Sequence, residues 1–235
     1  ILAQRGVRAA AQMPTPSFSA PGYVTWLAGL DPADSGVRTN RYRGPFVLDS
    51  LVAAPHRAGL RPLAFDGGST PKLQRLFAPH WTWAVAGTSH WDEVFRHLPQ
   101  VDLAVVALTE ADEAGHRRGA ASAEYRAAAR VADERLGQLL RAVDLDKDLV
   151  IVVADHGHTA TGGHGGGEAA ARGAFLVAAG AAIAVGRQPT LAGGGEADPW
   201  TAKRGDLLSG RGAPAVGPRD LAPTAAALLG LRPPA

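Results

Sequence analysis

At 235 residues, with 46% apolar residues and a net charge of only +2, the chain can build one large core or two small ones. It has no cysteine, which excludes disulfides and thiolate-bound zinc, and its 24 Lys and Arg are scattered rather than blocked, which argues against a nucleic-acid-binding patch. No run approaches the ~18 apolar residues that a bilayer-spanning helix needs, and Ala174–Gly186 is both short and broken by glycine.

Ile1–Gln12 reads as the end of a helix and its exit, so the natural start, and any leader with it, is expected upstream. Pro14–Gly44 follows, with hydroxyl residues at Thr15, Ser17 and Ser19. Ser89–Leu98 places Trp91, Val94, Phe95 and Leu98 on one helical face, with Ser89 and Asp92 as a capping-box-like opening. Val101–Glu110 and Asp148–Gly157 are continuous apolar runs that end in polar residues, the pattern of strands covered on both faces in a parallel sheet. Between them, Ser122–Asp144 sets Val131, Leu136, Leu139, Leu140 and Val143 near one helical face, so the three pieces read as a βαβ unit. Ala174–Gly180 is a further predicted strand and Arg219–Gly230 a terminal helix stopped by Gly230, while the Gly- and Pro-rich Gln188–Pro218 reads as surface loop. No repeat or linker interrupts the chain. The architecture implied is one three-layer α/β domain over residues 1–235, with a mostly parallel central sheet.

Chemistry concentrates at the ends of the two central strands. Val152–Glu168, "VVADHGHTATGGHGGGE", carries Asp155, His156, His158 and His164 on a glycine-rich backbone. On an ideal strand Asp155 and His156 would face opposite ways, so they converge only if the chain turns there, as Gly157 permits. After the other strand, Asp112 and His116 are four apart, on one side of a helical turn. Two strand ends thus each deliver an Asp–His pair, and a glycine loop adds His164. Carboxylate and imidazole without thiolate suit Zn²⁺, or Mn²⁺, in a hydrolytic site. His158, two residues past His156, is expected to point elsewhere and play a structural or outer role. His56, His80, His90 and His97 read as ordinary surface or hydrogen-bonded histidines.

On these residues the chain resembles the alkaline phosphatase superfamily, in particular its type I phosphodiesterase/nucleotide pyrophosphatase branch. Ser19-Ala20-Pro21 with Gly29, Pro32, Gly36 and Asn40 matches the frame around the family's nucleophile. "DEAGH" matches its Asp-x-x-Gly-His pair, "DHG" its Asp-His pair, "GGHGG" its last histidine and "DLAPTAAALLG" its C-terminal helix. The resemblance implies an alkaline-phosphatase-like sandwich and a two-metal hydrolase of phosphate esters acting through a phosphoseryl intermediate. It implies that Asp112, His116 and His164 hold the metal that activates water, and that Asp155, His156 and Ser19 hold the other. Asn40 would bind a phosphoryl oxygen, two divalent ions, most simply Zn²⁺, would be the cofactors, and a small phosphate ester the substrate. Ser17 lies outside the matched frame and is expected to matter little.

The departures matter too. The family has one further Asp ligand at the end of its first strand, in a "DG" sequence. No such strand precedes Ile1, so that ligand and a central strand are expected to be missing from residues 1–235. Ser35 and Ala28 replace turn residues of the family and remove no ligand. Within the same superfamily a sulfatase is the alternative, but Tyr23 stands where its motif needs Arg, and a phosphomutase would need a larger cap. A non-catalytic truncated relative is the reading from another class.

Overall fold

The computed structural model describes residues 2–68, 70–181, 183 and 217–232. The expected loop Gln188–Pro218 lies outside the described residues apart from its last two.

A short helix, α1 (Leu2–Arg5), leads into strand β1 (Gly6–Gln12). The expected helical exit is therefore corrected to a strand. Its alanines favour helix locally, but antiparallel pairing with β6 (Gly173–Gly180), from Gly6 opposite Ala179 to Gln12 opposite Gly173, overrides that weak preference. Helices α2 (Ser19–Ala28), α3 (Pro32–Ser35) and α4 (Ala53–Arg57) follow. Next come β2 (Pro62–Asp66), α5 (Lys72–Leu76), β3 (Trp83–Ala86) and α6 (Trp91–His97), the last within the predicted helix.

The predicted elements are present as β4 (Leu103–Ala107), α7 (Glu110–Arg118), α8 (Ala123–Ala142) and β5 (Leu149–Val153), but the expected βαβ unit is corrected, because β4 and β5 lie in different sheets and β5 pairs antiparallel. Ser122 caps α8, its hydroxyl accepting from the Tyr125 amide. A one-turn helix, α9 (Ala169–Arg172), precedes β6, and a final helix spans Leu221–Leu228.

The strands form two sheets of three. In one, β2 lies between β3 and β4, all parallel; in the other, β6 lies between β1 and β5, antiparallel to both. Alternation along the strands sends side chains to two helical layers. Ala64 joins the core with Val24, Leu73 and Ala222 from α2, α5 and the final helix. Leu63 and Phe65 face the other way, onto Trp91, Val94 and Leu139. This is the three-layer α/β sandwich.

One expectation changes. Continuous hydrophobicity predicts that β4 and β5 are covered on both faces, yet every residue of both is only half-buried. Each has a strand partner on one side alone among the described residues. The two share surroundings without pairing. Leu103, Val105 and Ala107 of β4 and Ile151 of β5 pack on one core cluster, while α8 reaches both sheets through Leu139 on one side and Leu136 and Leu140 on the other.

Candidate active site

The functional side chains gather where β4 and β5 end and α2 begins. Helix α2 approaches β5 closely because position 22 has no side chain: a Cβ on Gly22 would lie 2.5 Å from the Asp155 carbonyl oxygen. One turn further on, the Trp26 indole donates to the Ala154 carbonyl at 2.9 Å. These contacts set Ser19, 3% exposed, with its Oγ 3.2 Å from His156 Nε2. Asn40 sits at the same helix start, its Oδ1 accepting from the Ala20 amide at 2.9 Å, which leaves its amide nitrogen available.

Helix α7 carries Asp112 and His116 one turn apart, as their spacing predicts. Asp112 Oδ1 is the common neighbour of the cluster. It lies 2.8 Å from His158 Nε2, 3.5 Å from His116 Nε2, 3.5 Å from His164 Nε2 and 3.8 Å from His156 Nε2. His164 Nε2 is 3.1 Å from His116 Nε2, and the His164 ring stacks on His156 with centroids 3.6 Å apart. Asp155 Oδ2 approaches His156 Nε2 at 3.4 Å, so the turn after β5 does bring this adjacent pair to one side. Donor atoms of Asp112, His116, His158 and His164 all lie within 4.8 Å of one another.

Second partners assign the tautomers. His156 Nδ1 faces the Gly157 carbonyl at 3.2 Å and His164 Nδ1 the Ser17 carbonyl at 3.1 Å. A carbonyl only accepts, so each Nδ1 carries a proton, and a neutral ring then presents its Nε2 lone pair to the cluster. Burial, reinforced by neighbouring His156, lowers the His164 pKa to about 4 against the opposing pull of the Ser17 carbonyl and Asp112. Burial also pushes Asp112 up, but the His158 hydrogen bond and the surrounding histidines together outweigh it and bring that carboxyl to about 2. A neutral His164 with its Nε2 lone pair turned toward an ionised Asp112 offers donors that a divalent ion needs, and a backbone carbonyl fixes a ligand ring in this way. The residues fit a metal.

Beside the cluster opens a cleft of about 120 Å³, lined by Ser19, Tyr23, Asp66, Lys72, Thr109 and Asp155 among others. Several of these groups are absent from the sequence reading. Asp66 ends β2 and is 2% exposed. Its oxygens accept from the Gly68 and Leu73 amides, and burial raises its pKa. Its signal, "PLAFDGG", is a short apolar run closed by Asp-Gly. Tyr23, one helical turn past Ser19, has its hydroxyl pKa raised well above the usual value, first by burial and then by Asp155, Asp66 and Asp112.

One expectation is corrected by contacts. His158 points into the cluster rather than away, because β5 ends at Val153 and strand alternation no longer governs residues 156–158. Ser17, which lies outside the matched frame, is 1% exposed and hydrogen-bonded to the glycine loop through Oγ, to Gly166 O at 3.0 Å and Gly165 N at 3.3 Å. The remaining histidines stay apart: His56 pairs with His80, His90 with Glu93, and His97 stacks on Trp83.

Residues 70–170 match the family model described as type I phosphodiesterase/nucleotide pyrophosphatase. That span includes Asp112, His116, Asp155, His156 and His164 and leaves Ser19 and Asn40 outside it. No curated protein matches the chain in sequence. Among solved structures, a 2-O GAG sulfatase is similar at 15% identity and TM-score 0.68, over 100% of this chain and 65% of that one. A protein in the alkaline phosphatase superfamily from Vibrio parahaemolyticus is similar at 15% identity and TM-score 0.59, over 97% and 59%. Murine ectonucleotide pyrophosphatase/phosphodiesterase 5 is similar at 19% identity and TM-score 0.54, over 67% and 50%. The chain thus spans half to two thirds of the length of these structures. The motif resemblance is matched by a family model and by the fold, which is alkaline-phosphatase-like.

Proposed function

We propose that this chain carries the active site of a metal-dependent phosphate-ester hydrolase, of phosphodiesterase/nucleotide pyrophosphatase or phosphatase type, with Ser19 as nucleophile. One observation carries the reading. A buried serine hydroxyl stands 3.2 Å from His156 Nε2, beside three histidines gathered around Asp112. The family match over residues 70–170 supports phosphoryl rather than sulfuryl transfer, since the fold alone is shared with a sulfatase. Tyr23, where a sulfatase-type motif needs Arg, weighs the same way.

His164, His116 and Asp112 would hold one ion, and Asp155, His156 and Ser19 a second, most simply both Zn²⁺. Two such ions supply positive charge to the entering and leaving oxygens of an in-line displacement. The protein's own part is positional. Gly22 and Trp26 fix α2 against β5, so Ser19 Oγ reaches the cleft 3.2 Å from His156 Nε2, close enough for both to hold one ion, whose charge would favour loss of the Oγ proton. The free amide of Asn40 donates to a phosphoryl oxygen, and the cleft walls orient the ester. Oγ attacks phosphorus, the leaving alkoxide departs, and water then releases the phosphoryl group from Ser19 as phosphate or a phosphomonoester.

Ser19→Ala tests this against an aryl phosphodiester. Turnover should fall to background while zinc content and melting temperature stay near wild type. Retained turnover would remove Ser19 from the reaction and sink the mechanism.

A further inference from the structure

The glycine loop that carries His164 has little stiffness of its own. Gly162, Gly163 and Gly165 all adopt positive φ, a region open to glycine at little cost, and such backbone samples many conformations unless held. What holds it is a segment distant in sequence. The Ser17 carbonyl accepts from His164 Nδ1 at 3.1 Å, its Oγ accepts from Gly165 N at 3.3 Å, and the same Oγ donates to Gly166 O at 3.0 Å. One residue therefore satisfies three consecutive loop residues. Phe18 adds a steric stop: its ring packs so closely that a Cβ on Gly165 would lie 2.1 Å away, and it meets the His164 ring edge-on at 5.8 Å. Ser17 is 1% exposed, so water does not compete for these bonds.

We infer that Ser17 is a positioning residue, clamping the glycine loop so that His164 presents an unprotonated Nε2 to a bound metal ion. The inference rests on reading His164 as a ligand. The carbonyl sets the tautomer and the hydroxyl sets the loop. Because Ser19 lies two residues on, one short segment registers the nucleophile against the ligand cluster. Ser17→Ala keeps the carbonyl but removes both hydroxyl bonds, leaving Gly165 N and Gly166 O without their partner.

The test uses Zn²⁺ and Co²⁺ as probes on the purified chain. Calorimetric titration of wild type, Ser17→Ala and Ser17→Thr with Zn²⁺ should show affinity falling about 10- to 100-fold in the alanine variant and recovering with threonine, which keeps the hydroxyl. Visible spectra of the Co²⁺ forms should change only for Ser17→Ala. A wild type that binds neither ion would overturn the metal reading itself. Wild-type binding with equal affinity in Ser17→Ala would overturn the clamp alone. Should the alanine variant fail to fold, ¹⁵N-detected NMR of metal-free wild type decides: His164 must carry its proton on Nδ1, and a proton on Nε2 overturns the inference.

Discussion

The site has a crowded half and a sparse half, and they are held differently. Around Asp112, three imidazoles and a carboxylate crowd within 4.8 Å, supplied by α7 and by the chain beyond β5. Around Ser19 stand the Asp155 carboxylate and the His156 imidazole beside the serine hydroxyl, on a helix start pressed against the end of β5. The crowded half is rich in donors but rests partly on a clamped glycine loop. The sparse half is poor in donors but rigidly backed. Under the proposed function, affinity for an ion and precision of the nucleophile would be built from separate parts, and substitutions should pull them apart.

The largest effect should come where the halves meet. Asp112 Oδ1 contacts His156 as well as the crowded set, so Asp112→Asn should strip both ions and lower turnover by about 10³-fold or more, the scale of losing a partner for transition-state charge. Metal analysis beside an activity assay checks it; loss of one ion only would show that the halves are independent. His164→Ala should remove one ion and keep the other, with a substantial but smaller loss of activity, read by zinc stoichiometry. Wild-type stoichiometry would remove His164 from the ligand set. His158→Ala, which removes the hydrogen bond on Asp112, should weaken zinc binding about 10- to 100-fold without changing stoichiometry.

A smaller effect concerns pH. In the metal-free chain the His164 pKa is lowered from 6.5 to about 4 and that of Asp112 from 3.8 to about 2. A lowered folded-state pKa contributes stability above the unfolded value and loses it as pH falls through the folded one. Melting temperature should therefore decline first between pH 6.5 and 4, from His164, and again below 3.8, from Asp112. In His164→Ala the upper decline should shrink, and an unchanged profile would contradict this.

How much of this could be read from the sequence follows the physics of each residue. The pairs Asp112–His116 and Asp155–His156 were legible because their types are chemical and each closes an apolar run. The long helix over residues 123–142 was legible by period and cap. β1 was not, since an alanine-rich segment becomes strand only through its partner β6. Asp66 was hidden because a five-residue strand gives too little periodicity to mark its end. Ser17 was hidden for another reason: its partners are 147 to 149 residues away, and no local pattern reports them.

Consider last the sides of β4 and β5 that have no strand partner among the described residues. Among the described residues each is hydrogen-bonded to one neighbouring strand, and each ends beside the groups proposed to bind an ion. A strand that pairs with these sides, from any polypeptide, draws on the row of unsatisfied amides and carbonyls that such an edge presents. It would also fix the ends from which Asp112 and Asp155 hang. Strand pairing and metal binding then share one free energy, and linkage makes the exchange symmetrical: an ion that tightens the two ends favours the added strand by the same factor with which the strand favours the ion.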